Sequence, residues 1–158
     1  SKAVRDGLVV RQTTDMAVVR DLVLSTFGRQ RKFVDRARLE GILFRYSNPA
    51  NSFAFSTFRE EKPVATCFVV HDSGTAYYLL GGYRTEDRHH GAGALAVLAA
   101  IGHAQKLGLR TFDFEGSVIP PIERFFRGFG GRPTPYLTVN KAWWPLEWAL
   151  KFRHRNFF

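Results

Sequence analysis

The stretch that most constrains this chain is Tyr77 to Gly108, YYLLGGYRTEDRHHGAGALAVLAAIGHAQKLG. An apolar, aromatic run comes first, then a turn dense in glycine and positive charge, then an almost uninterrupted apolar helical pattern. A strand feeding a glycine-rich turn and a helix start brings free backbone N–H groups and the positive end of a helix dipole to one place. That combination suits a phosphate group. The helix is predicted over Ala94–Leu107, with Gly108 suited to the left-handed position that closes a helix. Because it is apolar on nearly every side, it is expected to be buried against a sheet.

The flanking sequence supplies the sheet. Gly7–Thr13 reads as a first strand. Thr14 or Asp15 then caps a helix carrying Met16, Val19, Leu22, Val23 and Phe27 on one face and ending at Gly28. A basic cluster, Arg29, Arg31, Lys32, Arg36 and Arg38, straddles the link to a second helix. That helix is predicted over Asp35–Tyr46, with Leu39, Ile42, Leu43 and Tyr46 facing inward, and it stops at Asn48-Pro49. Ser52–Phe58, Val64–His71 and Ala76–Tyr83 are separated by hairpin-length turns at Glu60–Pro63 and Asp72–Gly74, so they are expected to form an antiparallel meander. After the buried helix, Leu109–Phe114 must return parallel to its predecessor. A short helix over Pro121–Phe129 and a strand over Pro135–Lys141 follow. The tail, WWPLEWALKFRHRNFF over 143–158, is aromatic, basic and predicted helical.

At 158 residues and 45% hydrophobic, the chain is expected to be one α/β domain (α+β in its mixed sheet) over 1–142, followed by the tail over 143–158. It starts at Ser1 without an initiator Met and is also expected to be a piece of something longer. The net charge of +9 favours anionic partners: a phosphorylated cofactor, nucleic acid or an acidic membrane surface. The single cysteine, Cys67, lies in the apolar run ATCFVV and reads as a buried structural thiol. The histidines lack ligand spacing, so no metal site is expected. Neither a phosphate-binding G-x-x-x-x-G-K-[ST] nor a G-x-S-x-G nucleophile turn is present, which disfavours an NTPase or a hydrolase. No run is long and apolar enough to span a bilayer and no signal peptide opens the chain, so a cytoplasmic location is expected, with association at the inner face of the membrane through 143–158 as an option.

The element order and three local features resemble the GNAT (Gcn5-related) N-acyltransferases. Arg88-His89-His90-Gly91-Ala92-Gly93 matches the R/Q-x-x-G-x-G/A turn with which that family wraps the pyrophosphate of acyl-CoA. Gly81-Gly82 falls in the fourth strand, where the family carries a bulge that splays the sheet and exposes an amide to the thioester carbonyl. TFDFEGS followed by IERFFRGFGG resembles the FemAB-like branch, the peptidoglycan aminoacyltransferases and BioF2-like acetyltransferase domains, whose helix carries an F-K-x-x-F-G pattern. Phe126-Arg127-Gly128-Phe129-Gly130 matches it with Arg127 in place of Lys. The resemblance spans roughly 52–141. It departs from FemAB proteins in supplying one half instead of two, and in keeping a nearly complete phosphate turn.

The resemblance implies a GNAT fold, with a central mixed, mostly antiparallel sheet flanked by helices. It implies an acyl group passing from acetyl-CoA or another acyl-CoA to an amine. Gly82, Tyr83, Arg88, His89, His90, Gly91, Ala92 and Gly93 would form the donor site, and Phe126 and Arg127 would contact substrate. Glu115, at the end of its strand, is the candidate for handling the amine, with Ser117 beside it; Tyr136 and Tyr83 are candidate donors to the leaving thiolate. Two other readings stay open. One is a FemAB-type transferase using aminoacyl-tRNA on a cell-wall precursor; the other is a non-catalytic basic module for nucleic acid or lipid head groups. A second GNAT-like half or a homodimer is a possible partner under each.

Overall fold

The computed structural model describes residues 2–30, 33–86, 89–116, 119–135, 143–145, 148 and 152. A short helix, α1 (Lys2–Arg5), precedes β1 (Val9–Gln12), α2 (Met16–Arg29) and α3 (Arg36–Glu40), which runs straight into a π-helical turn over Gly41–Tyr46. The meander β2 (Ser52–Arg59), β3 (Lys62–His71) and β4 (Thr75–Tyr83) leads to α4 (Ala92–Lys106), β5 (Thr111–Asp113) and α5 (Pro120–Arg127). The sheet runs β1-β2-β3-β4-β5, antiparallel up to β4 and parallel between β4 and β5. This is the mixed, mostly antiparallel sheet expected from the hairpin spacings and the single helical crossover. The predicted strand over Pro135–Lys141 lies, beyond Pro135, outside the described residues, as does most of the 143–158 tail.

Strand alternation distributes the core to the two faces of the sheet. Ala54 and Phe68 point to one side and meet Val19 and Val23 of α2 with Leu39 and Leu43. Phe53, Cys67, Val69 and Ala76 point to the other and meet Ala96, Val97, Ala100 and Ala104 of α4. The small α4 residues let the helix sit close to the sheet, and Thr57 Oγ1 fixes its start by donating to the Ala92 carbonyl at 2.8 Å, a buried bond. Cys67 is fully buried, and burial pushes its thiol well above the ordinary range.

Two expectations need correction. Tyr46 does not face inward: it is 58% exposed. The Ser47 N–H reaches back to the Ile42 carbonyl (3.1 Å), the i→i+5 pattern that widens a turn by one residue, so Tyr46 falls out of line with Leu39 and Leu43. The bulge in β4 is not at the glycine pair. Phe68 pairs with Leu80 and Val69 with Tyr78, which leaves Leu79 as the extra residue.

Candidate active site

The site is built by what β4 and β5 fail to do together. They pair at Thr75–Thr111, Ala76–Phe112 and Tyr77–Asp113 and then separate. β4 continues to Tyr83, while the backbone after β5 leaves through a left-handed turn at Glu115 (φ 58°) and Gly116 (φ 66°). A wedge therefore opens on the far edge of β4, toward the carboxyl ends of the parallel pair, where open α/β sheets offer ligand sites.

The glycine pair borders this wedge for steric reasons. A Cβ on Gly82 would stand 2.5 Å from the Leu22 carbonyl group, so only glycine lets α2 lie this close to β4. A Cβ on Gly81 would stand 1.8 Å from the hydroxyl oxygen of Tyr78, so the phenol occupies the space a side chain would fill. Arg84 N–H bonds the Val64 carbonyl at 2.9 Å, and alternation from there turns the Tyr83 and Gly81 amides away from β3. Tyr83 N–H is taken by Thr26 Oγ1 at 2.9 Å. The Gly81 N–H finds no acceptor among the described residues and faces the wedge.

At the head of α4 the turn is held from behind. His89 Nδ1 accepts the Gly91 N–H at 3.0 Å, so Nε2 carries the proton that it donates to Asp6 at 2.9 Å. That hydrogen bond holds the Asp6 carboxyl below its usual range. Gly91 is tight because a Cβ there would meet Ala3 of α1 at 2.7 Å. Gly93 is different: a Cβ there would meet nothing within 4 Å. The Leu95 N–H bonds back to the Gly91 carbonyl, but the Gly93 and Ala94 amides have no acceptor among the described residues. α4 has no side-chain cap and no acid in its first turn. Its start is thus an open, uncompensated donor end.

Two adjoining grooves reach this helix start. One, of about 480 Å³, lies against Lys2, Asp6 and His89; the other, of about 440 Å³, runs between His90, Ala94 and Leu98 of α4 and Arg124, Phe125 and Phe129 near α5. Phe126 is not in that groove. It is buried, stacked on Phe114 at 4.8 Å and edge-on to Tyr78 at 5.5 Å, and so holds α5 to the sheet. Arg127 is paired with Glu123 one turn earlier, an exposed pair of small energetic weight.

The remaining candidates divide as follows. Glu115 is exposed at the end of β5, its N–H bonded to Asp113 Oδ1 at 2.7 Å. Tyr83 gives its ring and hydroxyl to Arg29, whose guanidinium lies 4.2 Å from the ring centre. Ala92 is buried beneath the turn, and His90 borders both grooves. Arg88, Ser117 and Tyr136 lie outside the described residues. Phe125, Phe129, Leu98, Thr26 and Tyr78 were not legible as site residues. Only the alternation along β4 and the F-x-x-F spacing hinted at them. Among the described residues no group of three or more His, Cys, Asp or Glu is placed to hold a metal ion. No helix there is long and apolar enough to cross a membrane.

Comparison with known proteins places this architecture. No curated protein sequence matches the chain. Solved structures do share the fold. A soil metagenomic aminoglycoside acetyltransferase in complex with sisomicin aligns with a TM-score of 0.63 at 14% identity, over 89% of this chain and 97% of the other. The aminoglycoside N-acetyltransferase AAC(6')-Iy in complex with CoA gives 0.63 at 14% identity, over 85% and 94%. A possible acetyltransferase from Clostridium difficile 630 gives 0.67 at 10% identity, over 85% and 97%. The family profile described as an acetyltransferase (GNAT) domain matches residues 15–127, from the cap of α2 to the end of α5. The chain belongs to the GNAT acetyltransferase family, a family of transferases.

Proposed function

We propose that this chain transfers an acyl group from acyl-CoA to an amine. The observation that carries the reading is the pairing of an open β4–β5 wedge with Gly93 and Ala94 amides at the head of α4 that have no acceptor among the described residues. The pyrophosphate would take the helix start, where backbone donors and the dipole favour negative charge. The pantetheine arm would lie on the apolar groove of Leu98, Phe125 and Phe129. The thioester carbonyl would reach the Gly81 N–H in the wedge. An amine approaching from the Glu115 side then attacks directly, without a covalent enzyme intermediate, and proximity supplies much of the rate. Arg88 would add a cation to the phosphate turn.

The acceptor side argues for a neutral or anionic amine over a polycation of the kind bound by the aminoglycoside enzymes of similar fold. The end of α2 lies over the end of β4 and presents Arg29, which is not paired with a carboxylate among the described residues. A polyamine would meet like charge there. Within that class an anionic cell-wall precursor, the acceptor implied by the FemAB-like Phe126–Gly130 segment, is the first to assay. Exposed Trp143, Trp144 and Trp148 support a tail that sits on a membrane surface beside such a substrate.

CoA should raise the melting temperature. At one hundred times the dissociation constant the stabilisation is about 2.7 kcal/mol, or roughly 5–10 °C at about 2–4 °C per kcal/mol for a domain of this size. Thiol release from acetyl-CoA across a panel of neutral, anionic and polycationic amines then identifies the acceptor class. No shift with CoA, together with tight salt-sensitive RNA binding, would replace this reading with the non-catalytic one.

A further inference from the structure

Tyr78 is a polar side chain whose placement the fold alone does not explain. Its ring packs into the aromatic layer under α5, edge-on to Phe126. Its hydroxyl makes no hydrogen bond to any other described residue of the chain. It lies over the Gly81 Cα, 1.8 Å from where a Cβ would stand, and just before the Leu79 bulge that reorients this part of β4. A phenol held by its ring, with a free hydroxyl beside an unpartnered backbone N–H at the edge of an open wedge, is arranged to donate to something outside the chain.

We propose that Tyr78 O–H and Gly81 N–H together bind the carbonyl oxygen of the acyl group, Tyr78 being a catalytic hydrogen-bond donor that keeps its proton throughout. The role rests on the acyl-CoA reading above. In the step itself the amine nitrogen forms a bond to the thioester carbon, and the carbonyl π electrons move onto oxygen. The oxyanion takes hydrogen bonds from both donors. Collapse restores the C=O bond and breaks the C–S bond, sulfur leaves as thiolate with the bonding pair, and the nitrogen proton passes to water at the wedge mouth. Burial raises the phenol well above its ordinary value, whereas a thiol titrates near 8.5. Proton transfer from Tyr78 to the thiolate therefore runs uphill, so the phenol is a donor to oxygen and not an acid to sulfur. Such donors, fixed before the charge develops, cost no reorganisation when it appears.

The test is Tyr78→Phe, which keeps the ring contacts, assayed by thiol release from acetyl-CoA with hydroxylamine as a small nucleophile. The expected result is a kcat about 10²–10³-fold lower, with the CoA melting shift and the KM for acetyl-CoA unchanged. Gly81→Ala, whose Cβ displaces the hydroxyl, should lose kcat similarly. An active wild type and a Tyr78→Phe variant within twofold of it in kcat would overturn the role while leaving the acyltransferase reading intact. A wild type that binds CoA but releases no thiol would overturn both. Independently of turnover, the carbonyl stretch of a ¹³C-labelled ketone analogue of acetyl-CoA should move to lower frequency on binding wild type and return toward its free value in Tyr78→Phe. No shift on wild type would also overturn the role, even if neither variant folds.

Discussion

The head of α4 allows ligand binding and folding to be separated with one substitution, Gly93→Glu. Gly93 has a helical φ and open space where its side chain would be, so a glutamate enters without steric cost. It also supplies the acid that the first turn lacks, worth about 0.3–1 kcal/mol to a helix N-terminus. The melting temperature should therefore hold or rise by up to about 4 °C. For a bound pyrophosphate the same carboxylate is a repulsive neighbour. At about 4 Å the repulsion is roughly 1 kcal/mol in water-like surroundings and roughly 4 kcal/mol at a protein surface, which weakens binding between about 5-fold and about 10³-fold. Gly91 is the wrong position for this experiment, because any side chain there pushes on Ala3 and confounds packing with binding. Calorimetric titration of CoA into both proteins, beside their melting curves, checks it. A Gly93→Glu variant that binds CoA with wild-type affinity would refute the placement of the phosphates. A large fall in melting temperature would refute the claim that the site is sterically open.

Two further outcomes follow from the same geometry. Gly82→Ala forces α2 off β4 through a backbone clash with Leu22, and over-packing of this kind costs about 1–3 kcal/mol. The melting temperature should drop by roughly 2–12 °C, and a neutral result in thermal denaturation would mean that α2 does not sit this close. Asp6→Asn should melt lower than wild type near neutral pH. Because the folded-state pKa of Asp6 is depressed, its contribution is present above the ordinary carboxylate range, near 3.9, and is lost as pH falls through the folded value. Melting curves from pH 7 down to acid should therefore converge, and a gap independent of pH would show that the Asp6–His89 contact contributes nothing through charge.

The order of the elements from β1 to α5 was legible in the sequence because local chemistry fixes it, whereas α1 was not read there. Asp15 caps α2 through the Ala17 amide, Gly108 takes φ 77° behind α4, and the hairpin spacings leave β2, β3 and β4 no arrangement but a meander. The crossover through an apolar helix required β5 to return parallel. The glycine-rich turn could be placed for the same reason, since a strand, a turn and a helix in sequence must bring amides together.

What the sequence could not show was which atom each glycine makes room for. Gly81 serves a phenol three residues earlier, Gly82 the backbone of α2, Gly91 the methyl of Ala3, and Gly93 open space. In a string of letters these four are the same residue. The bulge at Leu79, the outward turn of Tyr46 and the burial of Phe126 in place of Phe125 likewise depend on register and helical pitch, which shift by one residue with no local signal. Local chemistry determined that a glycine-containing turn and an uncapped helix start stand beside a parallel strand pair. Only packing between distant segments decided where the pair parts, and only the register shift at Leu79 decided that Tyr78 and Gly81, three residues apart on one strand, meet on the same face.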